Sequence, residues 1–365
     1  MSGLAARAVR ASGRAARRSS ALGAAVLLGL PGAGCGSGDR SAAATDAPPT
    51  AATAIAALGS VPDSAAARRS IEISDLTAIK RAAGSPSRHQ TQTQVALLAL
   101  QQGQVGSPAV GTELLNDGSV LAPFGYPVLG LRVQLEVGFV PDDEGEAWGP
   151  IRSASVAAAL APAKPHSATV GTTRVFDFGT KPHELLPQPF DLALIGLRYI
   201  AVPAGGGRVL DAGNQASRAS MLQLANGRLA AHPVRTDPLV APLLRAFGSH
   251  VQSLTLGTGY IGPGAKRPPA GPLMVGLAYI GGTPEHQSVM AAALYPSAAD
   301  ARAAVAIVGH YTATGYDYRF DLPYRRIWRV TSDIANGPLV TLRLRTSNSA
   351  PSNAMNDGSF PLFWR

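Results

Sequence analysis

Asp142-Asp-Glu-Gly-Glu146 places four carboxylates within five residues. Such a density suits a hard cation held by loop oxygens. The spacing and closing Glu of a calcium-binding loop are absent, so the run is expected to be a solvated acidic loop. Gly257-Thr-Gly-Tyr-Ile-Gly262 matches G-x-G-x-x-G, a dinucleotide fingerprint only where a helix opens at the glycines and turns its amides to a pyrophosphate. The chain continues Pro263-Gly-Ala-Lys-Arg-Pro-Pro269, which opens no helix and lacks the Gly-Lys-Ser/Thr ending of a phosphate loop. A surface loop is expected there, and no cofactor. No G-x-S-x-G signals a nucleophile elbow, and no S-x-x-K a penicillin-binding site. The histidines, at 89, 166, 183, 232, 250, 286 and 310, show no metal-ligand spacing, and zinc needs three or four converging ligands. His183-Glu184 pairs a base with an acid but lies in a Pro-rich loop.

The segment 311–345 concentrates a different chemistry. It holds Tyr311, Tyr316, Tyr318, Phe320, Tyr324 and Trp328 together with Arg319, Arg325, Arg326, Arg329, Arg343 and Arg345. Guanidinium groups grip phosphate and carboxylate through two parallel hydrogen bonds and stack on aromatic faces. Arg319, Tyr324, Arg326, Trp328, Arg343 and Arg345 form the candidate anion or ligand patch. Strand alternation puts Arg343 and Arg345 on one face. An ordinary sheet with one wet arginine face would show the same pattern.

The elements that must position these residues can be read from periodicity. Ile71–Gly84 predicts a short strand running into a helix capped by Ser74 or Asp75, and 92–102 a second helix. Val133, Leu135 and Val137 alternate with Arg132, Gln134 and Glu136, a strand with one wet face. Residues 153–160 predict a helix, 172–178 a strand, and 192–201 and 208–211 a strand pair. A helix over 214–226 follows. Asp237-Pro238 opens another, which Pro242 should kink or shorten. Strands at 273–280 and 289–294 precede the strongest helix, capped by Ser297, with Ala301, Val305, Val308 and Tyr311 on one stripe. Residues 326–333 and 339–346 pair around Ala335-Asn-Gly337. Strands in adjacent runs, interrupted by single helices, predict an α+β fold of mostly antiparallel sheet with helices on one face. Asn-Asp-Gly-Ser at 116–119 and 356–359 is good turn chemistry and also admits two similar lobes. The Pro-rich KPHELLPQP suggests a lobe boundary near 185.

The chain of 365 residues is rich in alanine, with 15% charged residues and a net charge of +9. Arg7, Arg10, Arg14, Arg17 and Arg18 supply five of those charges; the other 27 cations face 23 acids. That balance argues against nucleic acid as partner. Residues 21–30 are an apolar run of ten, about 15 Å as a helix and too short to span a bilayer. A basic segment, a short apolar run and small residues predict a secretory signal over 1–34. The sole cysteine, Cys35, has no disulfide partner within the chain. Gly32-Ala-Gly-Cys35 resembles the lipobox of bacterial lipoproteins, with Gly32 where that family usually carries an aliphatic residue. The leader as a whole resembles that of an actinobacterial-type exported lipoprotein. The resemblance implies cleavage before Cys35, acylation of its thiol, and anchoring to the outer face of the cell membrane. Arg17-Arg18 leaves both the general and the twin-arginine export routes open. Residues 35–57, low in large apolar side chains, read as a disordered tether to a body over 58–365.

These features predict a non-enzymatic envelope lipoprotein acting as a binding or scaffolding module, with an envelope lipid, glycan or protein as partner. The alternative is a carrier for an apolar or anionic ligand, which requires a pocket at the arginine patch. A secreted hydrolase would require an acid or histidine converging with a nucleophile only in three dimensions.

Overall fold

The computed structural model describes residues 55, 57–59, 61–82, 125–126, 130–139, 143–179, 198–225, 231–262, 270–283, 286–317, 322–346, 351, 354–355 and 360–363. All lie in one compact unit, Ala43–Arg365. Cys35, Arg319, the signal, residues 35–54 of the expected tether, the helix expected at 92–102, His183-Glu184 and both Asn-Asp-Gly-Ser runs lie outside the described residues, whereas Ile55 and Ala57, at the end of that tether, are helical and pack against the core. No helix among the described residues is long and apolar enough to cross a membrane.

The chain is an α+β protein built on one antiparallel sheet. In chain order its strands are β1 (Ile71–Asp75), β2 (Val133–Val137), β3 (Glu144–Trp148), β4 (His166–Val170), β5 (Thr173–Asp177), β6 (Tyr199–Pro203), β7 (Arg208–Ala212), β8 (Ser253–Gly257), β9 (Met274–Thr283), β10 (His286–Leu294), β11 (Tyr316–Asp317), β12 (Leu322–Pro323), β13 (Trp328–Asn336) and β14 (Leu339–Thr346). The helices are α1 (Ala65–Arg69), α2 (Leu76–Ala82), α3 (Ser153–Leu160), α4 (Gln215–Ala225), α5 (Ala241–Phe247), α6 (Ala298–Thr314) and α7 (Tyr324–Ile327). Twelve strands form the order β13-β14-β10-β9-β8-β1-β2-β3-β7-β6-β5-β4, while β11 and β12 pair apart.

Several local signals act as read. Asp75 caps α2, its carboxylate accepting from the Ala78 amide at 2.7 Å. Ser297 caps α6 through the Asp300 amide at 3.1 Å, and Gly315 ends it. Asn214 caps α4, accepting from Ala216 at 2.7 Å and Ser217 at 3.0 Å. Pro242 introduces no kink. It sits in the first turn of α5, where it has no amide to lose, and the Asp237-Pro238 stretch before it is a turn.

The order contains a repeat. β1-β2-β3, α3, the hairpin β4-β5 and then β6-β7 match β8-β9-β10, α6, the hairpin β11-β12 and then β13-β14. In each half the last strand returns beside the third, β7 on β3 and β14 on β10. The halves meet at the antiparallel pair β1–β8. In topology a two-fold normal to the sheet between those strands exchanges them, except that α2 has no counterpart and only the β4-β5 hairpin joins the main sheet. The expectation of two similar lobes therefore holds at the level of topology. The chain passes between halves after Ala212 and before Ser253, so residue 185 falls inside the first half. The two Asn-Asp-Gly-Ser runs do not correspond, since one lies between β1 and β2 and the other after β14.

Both faces of the sheet are covered. On one, Leu277, Ala291, Leu342 and Leu344 pack against Ala301, Ala304 and Val308 of α6 and against Met355, Phe360 and Phe363. On the other, Ile71, Ile73, Val133, Leu135, Leu254 and Met290 pack against Leu243, Leu244 and Phe247 of α5. Helices thus divide between the faces instead of sharing one. Strand β2 correspondingly lacks the wet face its alternation suggests: Gln134 is buried like Val133 and Leu135.

Candidate functional site

Thr255, Glu72, Glu136, Gly145 and Asp211 stand side by side on adjacent strands β8, β1, β2, β3 and β7. Gly145 makes room for its neighbour, since a Cβ there would stand 2.5 Å from an Asp211 carboxylate oxygen. Tyr260 donates its hydroxyl proton to Glu72, and Ser70 lies 2.6 Å from the same phenol oxygen. Burial pushes the carboxyls of Glu72, Glu136 and Asp211 upward, and the nearby acids reinforce this at Glu136 and Asp211. The direction follows because ionising carboxyls side by side in a dry interior is costly.

The acidic run is therefore no solvated loop. Residues 144–146 are the first three of the five residues of β3, and Asp143 and Glu146 are buried. Burial raises Glu146 to about 7 despite an Arg208 guanidinium at 2.9 Å. Among the described residues no three acid, histidine or cysteine side chains could hold a metal ion. The glycine motif at 257–262 is a turn with Gly259 exposed, as a surface loop requires, but it packs closely on its neighbours. A Cβ on Gly257 would lie 2.2 Å from the Arg69 carbonyl, and one on Gly259 2.4 Å from the Phe139 ring. Small residues are needed there so that the end of β8 can pack on the α1–β1 junction.

Two cavities open at opposite ends of the sheet. The first, about 600 Å³, is lined by His286, Ser288, Arg325, Arg326, Ile327, Trp328, Arg329, Arg345 and Thr346. Strand register builds it: Ser288 on β10 faces Arg345 on β14, and Arg345 faces Arg329 on β13. The short helix α7 adds Arg325 and Arg326. Like charges directly opposite on neighbouring strands repel, and among the described residues no carboxylate pairs with any of the four arginines.

Of the six patch residues expected, the structure brings Arg326, Trp328 and Arg345 to this cavity. Arg343 is exposed on the same face as Arg345, as alternation requires, but lies one step outside the cavity. The rings do not form a platform beneath the guanidinium groups. Tyr324 and Trp328 are buried, stacked on each other at 4.9 Å, and Trp328 continues to Phe360 at 5.4 Å. Cation–π contacts occur elsewhere, as at Arg69 on Phe139 and Arg198 on Tyr199. His286 and Ser288 arrive from β10, far upstream, and no pattern within 311–345 indicates them.

The second cavity, about 520 Å³, lies at the matching end of the other half. It is lined by Pro62, Ser64, Ala65, Ala66 and Arg69 around α1, by Gly138, Phe139 and Glu144 from the β2–β3 end, and by Asn214, Ala216, Ser217, Ser220 and Gln223 around α4. The Glu144 carboxyl accepts a hydrogen bond from Ser220, and burial outweighs that bond, raising it to about 7. Its other oxygen, Oε2, is buried without a partner. An acid and a serine thus share one cleft. Ser220, however, lies within a regular helix, and none of the five described histidines lines this cavity. No protein-family profile, curated protein or solved structure matches the chain.

Proposed function

We propose that this chain is a lipid-anchored binding protein of the bacterial envelope, acylated at Cys35, whose body holds a phosphate-bearing ligand in the arginine cavity. One observation carries the ligand class: four guanidinium groups line a concave site, two of them directly opposed across β13 and β14, with no described carboxylate to offset them. An anion supplies that missing countercharge, and guanidinium forks match phosphate geometry. The volume suits a headgroup or a small phosphorylated molecule. The lipobox-like leader supports the envelope location, where phosphate comes from lipid headgroups or wall polymers.

The test is flotation of the purified full-length protein with Cys35→Ala, which removes the anchor, on phosphatidylcholine vesicles with and without phosphatidylglycerol. Calorimetry with free glycerol phosphate runs in parallel. Binding to the anionic vesicles, weakened at least tenfold in Arg329→Gln/Arg345→Gln and by raised salt, is expected if the ligand is a lipid headgroup. Binding of glycerol phosphate alone assigns a soluble ligand. Equal behaviour of the double variant and its parent toward both probes removes the reading. In the native host, the unaltered chain should sediment with membranes and Cys35→Ala should not; an unchanged distribution would remove the anchor.

A further inference from the structure

The internal two-fold places the two cavities in equivalent positions. Glu144 starts β3 and faces Ala212 at the end of β7. Gln287 and Ser288, near the start of β10, face Thr346 and Arg345 at the end of β14. Both cavities use the open end of the third and last strands of their half, on the sheet face that also carries α5. What differs is the charge presented. The second half contributes four arginines, whereas the first contributes Glu144 at the floor and an exposed Arg69 at the rim.

We infer that the Glu144 cavity is a second ligand site, equivalent by the two-fold to the arginine cavity and opposite in preference, and that it takes a primary amine carried on an apolar body. The ammonium group seats at the floor, where Glu144 Oε2 lacks a partner and Ser220 donates to the same carboxyl group. An ammonium group donates three hydrogen bonds, which matches one open carboxylate oxygen beside the Ser220 hydroxyl. The apolar body lies along Pro62, Ala65, Ala66 and Phe139. The Arg69 guanidinium, positioned over the Phe139 ring at 5.2 Å, meets the far end of the ligand at the rim and favours an acidic group there. Glu144 stands near protonation when the cavity is empty, so an incoming amine holds it ionised. The groups around it are Ser220 from α4, Glu146 two residues along the same strand and Arg69 from α1. The inference does not depend on the arginine cavity binding anything.

The experiment uses three probes of one chain length, n-hexylamine, n-hexanol and 6-aminohexanoate, titrated into the full-length protein and followed by side-chain carboxyl NMR. Hexylamine is expected to bind about tenfold tighter than hexanol, as a charge-assisted hydrogen bond requires, and to lower the Glu144 titration midpoint, which hexanol leaves in place. In Glu144→Gln the preference for the amine should vanish while hexanol binding persists, which separates loss of the charge from loss of the fold. In Arg69→Gln, 6-aminohexanoate should lose any advantage over hexylamine. Arg329→Gln/Arg345→Gln should alter none of these values. Equal binding of hexylamine and hexanol, an amine preference that survives Glu144→Gln, or no binding of any probe overturns the inference.

Discussion

At the scale of single residues, the molecule is organised by carboxyl groups whose pKa burial raises. Glu144 is the member nearest a cavity, with its pKa moved from 4.5 to about 7. The folded chain keeps a proton there that the unfolded chain releases, so stability is greatest below pH 4.5 and falls as pH rises through 7. A shift of that size corresponds to roughly 3 kcal/mol. Glu144→Gln is therefore expected to match the parent near pH 4.5 and to exceed it by that order above pH 7 in urea unfolding. A constant difference across the range would contradict this. Glu72, Glu136 and Asp211, shifted in the same direction, steepen the same descent in both proteins. None of this is visible in the run Asp142–Glu146, because a carboxylate-rich stretch reads as wet until neighbouring strands enclose it.

At the scale of elements, the decisive contacts are close approaches that only glycine permits. β8 ends against the α1–β1 junction, with the Thr258 and Gly259 amides donating to the Arg68 and Arg69 carbonyls at 2.9 Å each. A methyl group at Gly257 would stand 2.2 Å from the Arg69 carbonyl oxygen and 2.9 Å from the Ser70 Cα. Backbone atoms cannot yield as a side-chain tip can. Gly257→Ala is expected to lower unfolding free energy by ~2 kcal/mol or more, whereas Gly205→Ala, with open space around it, should change it little. Equal melting temperatures for the two variants would show that the junction is not held by this contact. The same junction carries Arg68, which reaches Asp63 at 2.6 Å and the buried Asp237 at 3.0 Å and so ties α1 of the first half to the segment entering the second.

At the scale of the whole molecule, two topologically equivalent halves share one sheet and cannot separate without breaking it. β1 and β8 are hydrogen-bonded neighbours in the interior of the sheet. Ile71, Ile73 and Val133 of the first half share a core with Leu243, Leu254 and Met290 of the second. The bridge Pro62–Pro233 adds a further tie. Residues 58–365 are therefore expected to unfold in one cooperative transition, with calorimetric and van't Hoff enthalpies equal. Two resolved transitions would show that each half is its own folding unit. Particular residues show how far this architecture could be read in advance. Asp75, Asn214, Ser297 and Gly315 bound helices where local rules place them, since a cap answers only to the few amides beside it. The alternation of Val340, Leu342 and Leu344 with Arg343 and Arg345 names the outward face of β14 for the same reason: period two belongs to the strand alone. By itself, then, the sequence determined part of the elements, among them α3, α4, α6 and the β13–β14 pair, together with the antiparallel α+β class and the outward arginines, all of which depend on neighbours within about one turn or one strand. Tertiary structure decided that Arg329 opposes Arg345 with Ser288 beyond it, that Tyr324 and Trp328 turn into the core, that the acidic run is enclosed, and that two halves match. Each of these depends on which strands become neighbours. That choice is set by burying apolar faces across long stretches of chain, and no local spacing records it.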